Sequence, residues 1–380
     1  MTAARVHVTP RFALESGEIL RDVRQAYVLE GTLNEKRDNV VVVFHSLTGS
    51  PETLGGWKGS VIGPGKAIDT NKWAVLCPNL LGSCYGTTFK RIQRRDSSNS
   101  GSGPAISTRD QAHLAGILVD SLGISSVPLV TGGSLGGMVA LEFAASFPER
   151  TLRAVVFAAP AAHSAWAIGW NHVQRRAIEA AGPAAGLAVA RMVGMLTYRS
   201  PAELEKRFQR LPGDGETFAV QSYLTHHGAK LVARFEVQSY LALLDAMDAH
   251  DVGRGRGGTA AALSAFHGRL VGVGITSDVL YPEDEVKGWV REAGASYAEL
   301  NSAHGHDGFL LEPEAAGALL AGALEPGAAE KQAVVPFTAR RQEPQQPRRG
   351  AASGTPHALP AKRAVSWPRR TPGGVENRRR

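Results

Sequence analysis

The chain has 380 residues, 43% hydrophobic and 20% charged, which is ordinary for a globular protein and ample for a large core. Its net charge of +7 is unevenly placed: residues 331–380 carry twelve Lys and Arg against Glu343 and Glu376, which leaves the first 330 residues at −3. Two cysteines, Cys77 and Cys84, exclude a disulfide framework, and no Cys/His spacing suits a metal. No apolar run is long enough to cross a membrane, and the first residues lack the apolar core of a signal peptide. A cytoplasmic protein with no membrane contact is expected.

Residues 38–45 read Asp-Asn-Val-Val-Val-Val-Phe-His, the pattern of a strand covered on both faces. Comparable runs recur at 73–77, 128–131, 153–158 and 269–275. Helical periodicity fills 109–122, 135–147 and 283–293. Strands alternating with helices imply right-handed crossovers and a mainly parallel sheet. Residues 1–160 and 259–330 are therefore expected to form an α/β core flanked by helices. Residues 161–258 break the alternation. This helix-rich stretch is expected to lie as a cap over the strand ends, where open α/β sheets place their ligand crevice. Residues 331–380, rich in Gln, Pro, Arg and Gly, are expected to be a disordered basic tail, touching nucleic acid only non-specifically.

The chemistry concentrates where the run at 128–131 passes into Gly132-Gly133-Ser134-Leu135-Gly136 and then into a helix. A serine on a sharp strand–turn–helix bend, between glycines, is the nucleophile elbow of the α/β-hydrolase fold. Serine needs a base to take its proton and an acid to orient that base, and in this fold they follow in the order Ser, Asp, His. Asp278 lies just beyond the strand ending at Ile275. His306 lies beyond the strand expected at 296–300. His304 is a rival base and Asp307 a rival acid, and spacing does not choose between them. Attack on an acyl carbon also needs two donors for the oxyanion. The backbone N–H groups of Leu135 and Leu47 are the candidates, the latter in His45-Ser46-Leu47-Thr48-Gly49.

These motifs resemble the homoserine O-acetyltransferases. They continue with residues 62–70 (Ile-Gly-Pro-Gly-Lys-Ala-Ile-Asp-Thr), 81–88 (Leu-Gly-Ser-Cys-Tyr-Gly-Thr-Thr) and Ser164-Ala165-Trp166. Further matches are residues 186–192, Leu196-Thr197-Tyr198-Arg199-Ser200, Ser239-Tyr240-Leu241, residues 250–255 and Gly305-His306-Asp307. In order they cover about residues 10–325. The resemblance implies that acetyl-CoA, as a substrate and not a bound cofactor, acylates Ser134, and that L-homoserine then takes the acetyl group. It selects His306 over His304. It also implies that Arg191, Tyr198 and Asp307 hold the amino acid, and a homodimer is the expected assembly. The chain departs from the family at His45-Ser46-Leu47, where His-Ala-Leu is usual, at a short segment 50–57, at 89–103 and in the tail. A succinyl donor, a serine acceptor or simple ester hydrolysis are the alternative readings.

Overall fold

The computed structural model describes residues 4–87, 105–213 and 215–325. Two long strands, β1 (Arg5–Ala13) and β2 (Ile19–Glu30), pair antiparallel at the start of the chain. The core proper begins with β3 (Val40–Phe44), followed by two short segments, β4 (Ile62–Gly63) and β5 (Ile68–Asp69), and then β6 (Ala74–Pro78). Next come α1 (Thr108–Ser121), β7 (Leu129–Gly133), α2 (Leu135–Ser146) and β8 (Arg153–Phe157). Six helices follow before the next strand: α3 (Ala165–Ala181), α4 (Pro183–Tyr198), α5 (Pro201–Phe208), α6 (Ala219–Val232), α7 (Val237–Asp248) and α8 (Thr259–Ser264). The described chain closes with β9 (Arg269–Ile275), α9 (Glu283–Glu292), β10 (Ser296–Leu300), α10 (Gly308–Leu311) and α11 (Pro313–Leu324). The tail expected at 331–380 and the whole of the divergent stretch 89–103 lie outside the described residues. Among the described residues, no helix is long and apolar enough to cross a membrane.

The main sheet has eight strands in the order β1-β2-β6-β3-β7-β8-β9-β10, parallel from β6 onward. Every residue of β3 is buried because the two sides of the strand enter different cores. Val40, Val42 and Phe44 pack with Leu118, Met138 and Phe143 of α1 and α2, whereas Val41 and Val43 pack with Trp57 and with Leu320 of α11. Helices thus cover both faces, which is why the parallel strands read as unbroken apolar runs.

The hairpin β1–β2 is an element the sequence reading passed over. β1 is an edge strand in which only Thr9 and Phe12 are buried, and it contains Pro10, which an edge position tolerates because no neighbour needs its missing N–H.

Candidate active site

Ser134 stands alone between β7 and α2, with φ 59° and ψ −128°, a conformation L residues rarely adopt. Two hydrogen bonds hold it there. Its N–H donates to Phe157 O (3.0 Å), and its carbonyl accepts from Met138 N–H (3.0 Å). The flanking glycines serve close approach. A Cβ on Gly132 would meet the Gly136 carbonyl carbon at 2.5 Å, and one on Gly136 would meet the Phe44 carbonyl oxygen at 2.2 Å. The start of α2 is therefore wedged against the end of β3. Leu135 is the first residue of α2, where backbone N–H groups have no intrahelical partner and the helix end is positive.

The second donor candidate, Leu47, sits in a loop that a buried histidine fixes. His45 Nδ1 lies 2.8 Å from Ser46 O, and its Nε2 lies 3.0 Å from Asn79 Oδ1 and 3.2 Å from Leu80 N. Asn79 in turn donates to Thr87 Oγ1 (2.9 Å). Burial holds the His45 imidazole below the ordinary histidine pKa, despite the hydrogen bonds to Ser46 and Asn79. The loop after β3 is thereby tied to the loop after β6.

His306 lies on a single 3-10 turn, Gly305–Asp307, and its Nδ1 is 2.7 Å from Asp278 Oδ2. The other carboxylate oxygen of Asp278 accepts from Leu280 N–H (2.8 Å) and Tyr281 N–H (3.0 Å), so the acid cannot rotate away. Burial pushes the His306 pKa down, but the charge and hydrogen bond of Asp278 outweigh it and leave the imidazole above its ordinary value. Its ring is packed by Tyr281, Tyr198 and Phe309, with centroids 5.2, 5.8 and 5.8 Å away. Nε2 is buried without a hydrogen-bond partner among the described residues. His304 is different. It is 38% exposed and contacts Glu203 and Glu312 rather than Asp278. Asp307 is also directed elsewhere, with Oδ2 3.3 Å from Arg199 Nε.

A cavity of about 640 Å³ is lined by Ser134, His306, Leu47, Arg191, Tyr198 and Asp307. Asp278 is buried behind His306, and Leu135 behind Ser134. Arg191 and Tyr198 reach the cavity from α4, seven residues or about two turns apart, with the guanidinium 5.3 Å from the centre of the Tyr198 ring. Burial raises the Tyr198 hydroxyl above its usual pKa. Burial likewise raises Asp307, opposed by the charges of Arg199, His306 and Arg191. Arg199 was not singled out from sequence. It bridges Asp307 and Glu203 (3.1 Å), and its only signal is its place beside Tyr198. Arg234, Tyr85 and Thr48, also on the cavity wall, gave no signal as a group because they are far apart in sequence. Among the described residues, no cluster of His, Cys, Asp and Glu is arranged to hold a metal ion.

A strained strand–turn–helix serine, a buried Asp–His pair and a parallel sheet define an enzyme of the α/β-hydrolase fold, and the model of that fold family matches residues 39–228. The chain is also 41% identical over 340 residues to the homoserine O-acetyltransferase of Thermobifida fusca, across 81% of this chain and 89% of that one. It belongs to the homoserine O-acetyltransferase family. The solved homoserine O-acetyltransferase of Staphylococcus aureus is similar with a TM-score of 0.73 at 27% identity, over 86% of this chain and 96% of that one. An acetylester hydrolase from Corynebacterium glutamicum reaches a TM-score of 0.74 at 21% identity, over 85% of this chain and 96% of that one, a likeness of fold alone.

Proposed function

We propose that the enzyme transfers an acetyl group from acetyl-CoA to the γ-hydroxyl of L-homoserine, within methionine biosynthesis, through an acyl-enzyme on Ser134. What supports this reading most is the content of one cavity. The Ser134 and His306 pair shares it with a half-buried guanidinium and a carboxylate, the two charges that an α-amino acid needs.

In the first half-reaction His306 Nε2 takes the Ser134 proton while Oγ attacks the thioester carbonyl. Asp278 stabilises the imidazolium that forms. The N–H groups of Leu47 and Leu135 receive the oxyanion. Collapse breaks the C–S bond, and His306 returns its proton to the departing CoA thiol. In the second half-reaction His306 takes the proton of the acceptor hydroxyl, which attacks the acyl carbon. The ester leaves and Ser134 regains its proton. Arg191 holds the acceptor carboxylate, Asp307 its ammonium, and Tyr198 the face between them. No permanently bound cofactor takes part.

Helices α3 to α7 are read as the cap that brings Arg191 and Tyr198 over Ser134. A homodimer is proposed from the apolar side chains that α3 and α4 expose, Trp166, Ile168, Val173, Val189 and Leu196. The cytoplasm is the proposed location.

The test is CoA release measured with a thiol reagent, with and without homoserine, alongside mass spectrometry of enzyme mixed with acetyl-CoA alone. The expected results are release that depends on homoserine and one acetyl group on the Ser134 peptide. Ser134→Ala should lose both, with turnover falling on the order of 10⁴–10⁶-fold. Equal release with water alone would replace the transferase by a hydrolase.

A further inference from the structure

The cavity has a second cation whose charge nothing in the mechanism uses. Arg234 follows the end of α6 and lines the same cavity as Ser134. Its Nη1 donates to Thr48 O (2.7 Å) and Tyr85 OH (2.8 Å), and its Nη2 to Thr48 Oγ1 (3.2 Å). The Tyr85 hydroxyl returns a hydrogen bond to Arg234 O (3.1 Å). All of these partners are neutral oxygens, and no carboxylate pairs with Arg234 among the described residues. The guanidinium is thus fixed in place, solvent-exposed and uncompensated, with two of its five N–H donors uncommitted.

The helix that leads to it strengthens the field. The sequence of α6, Ala219–Val232, holds His226, His227 and Lys230 and no Asp or Glu. Lys230 lies one turn before Arg234, exposed and without an ion pair among the described residues. Behind it, His227 is pushed down to about 4, first by burial and then by the charges of Arg191, His226, Lys230 and Arg199, so positive potential converges on this side of the cap. Three acids stand nearby: Asp307 is engaged by Arg199, Glu52 is on the cavity wall, and Glu236 acts with Arg234 on Cys84 without forming an ion pair with Arg234 among the described residues.

We propose that Arg234, with Lys230 beside it, anchors the phosphates of the acyl donor at the mouth of the cavity while the thioester reaches Ser134. This rests on the reading of a coenzyme A thioester as the donor. Such a molecule carries its reactive carbonyl at one end and its phosphates at the other. The phosphates cannot enter a largely apolar cavity without losing solvation, so they stay at the rim. A fixed guanidinium offering paired N–H donors suits a phosphate, and a neighbouring ammonium adds a point charge.

The experiment compares acetyl-CoA with acetyl-pantetheine, the same thioester without phosphates, using the full chain, homoserine and thiol release. For the wild type, kcat/KM should favour acetyl-CoA, and the preference should shrink as salt rises. In Arg234→Gln the ratio of the two values should fall about tenfold or more, the loss of a charge-assisted contact. In Lys230→Ala it should fall about fivefold, as for an exposed ion pair. If Arg234→Gln slows both donors equally and Lys230→Ala leaves the ratio unchanged, Arg234 is only a strap between cap and core, and the proposal is overturned. A wild type that uses acetyl-pantetheine as well as acetyl-CoA overturns it too, while leaving the donor reading intact. A wild type that acetyl-CoA does not acylate overturns that reading and the anchor together.

Discussion

Arg191→Ala separates acyl transfer from hydrolysis more sharply than loss of the nucleophile. The guanidinium is half-buried, stacked on Tyr198, and within ion-pair distance of no carboxylate among the described residues. Its charge is therefore available to an incoming carboxylate. Removing one member of such a charge pair costs about 2–5 kcal/mol. At about 1.4 kcal/mol per tenfold, discharge of the acyl-enzyme by homoserine should slow by about 30- to 5,000-fold. Acylation by acetyl-CoA does not involve the acceptor, so it should stay near the wild-type rate. Arg191→Lys should recover only part of the loss, because a point charge does not reproduce a bidentate fork. The assay is single turnover: load the enzyme with acetyl-CoA, add homoserine, and follow the acyl-enzyme. Equal discharge in variant and wild type would refute the acceptor clamp.

Two further substitutions probe the machinery from other directions. His306 works as a base only when neutral, and Asp278 holds its pKa above 6.5, so kcat/KM for the wild type should fall as pH drops through that raised value. Asp278→Asn removes the main raising influence and leaves burial opposed by Asp307 alone, which should move the acid limb to lower pH and reduce turnover on the order of 10⁴-fold, measured as a pH–rate profile. An acid limb that stays put would mean that another group controls the titration. Gly136→Ala would force a methyl to 2.2 Å from the Phe44 carbonyl oxygen, which is main chain and gives little. A loss of about 1–3 kcal/mol in urea unfolding is expected, together with reduced acylation. Unchanged stability would show that the junction of β3 and α2 can open.

The parts of this architecture legible in sequence are those where burial dictates composition. Strands β3, β6, β7, β8 and β9 are covered on both faces, and their runs, rich in Val and Leu and uncharged beyond the first residue, announce it. The elbow is legible because Gly132 and Gly136 have no alternative at such short approach distances. The hairpin β1–β2 stayed hidden because its outer strand is mostly exposed and interrupted by Pro10. Arg199 and Arg234 stayed hidden for another reason. On helix periodicity alone an arginine near a helix end is a surface residue, and only the fold shows which surface lines a cavity. Even Arg191 and Tyr198 were reached through family resemblance and not through their own pattern.

The turn that carries His306 is joined to the helix that carries Tyr198. Gly305 approaches so closely that a Cβ there would lie 2.5 Å from the Ser200 nitrogen, and Ser200 Oγ donates to Ala303 O (2.6 Å). The residues that follow α4 are therefore packed directly against the turn that carries His306. A shift of α4 that enlarged the cavity for a bulkier acceptor would drag the imidazole with it and spoil its line to Ser134. Across so tight a seam, changing what the enzyme accepts and keeping it fast are a single engineering problem, most safely approached from side chains of α4 other than those at its C-terminal turn.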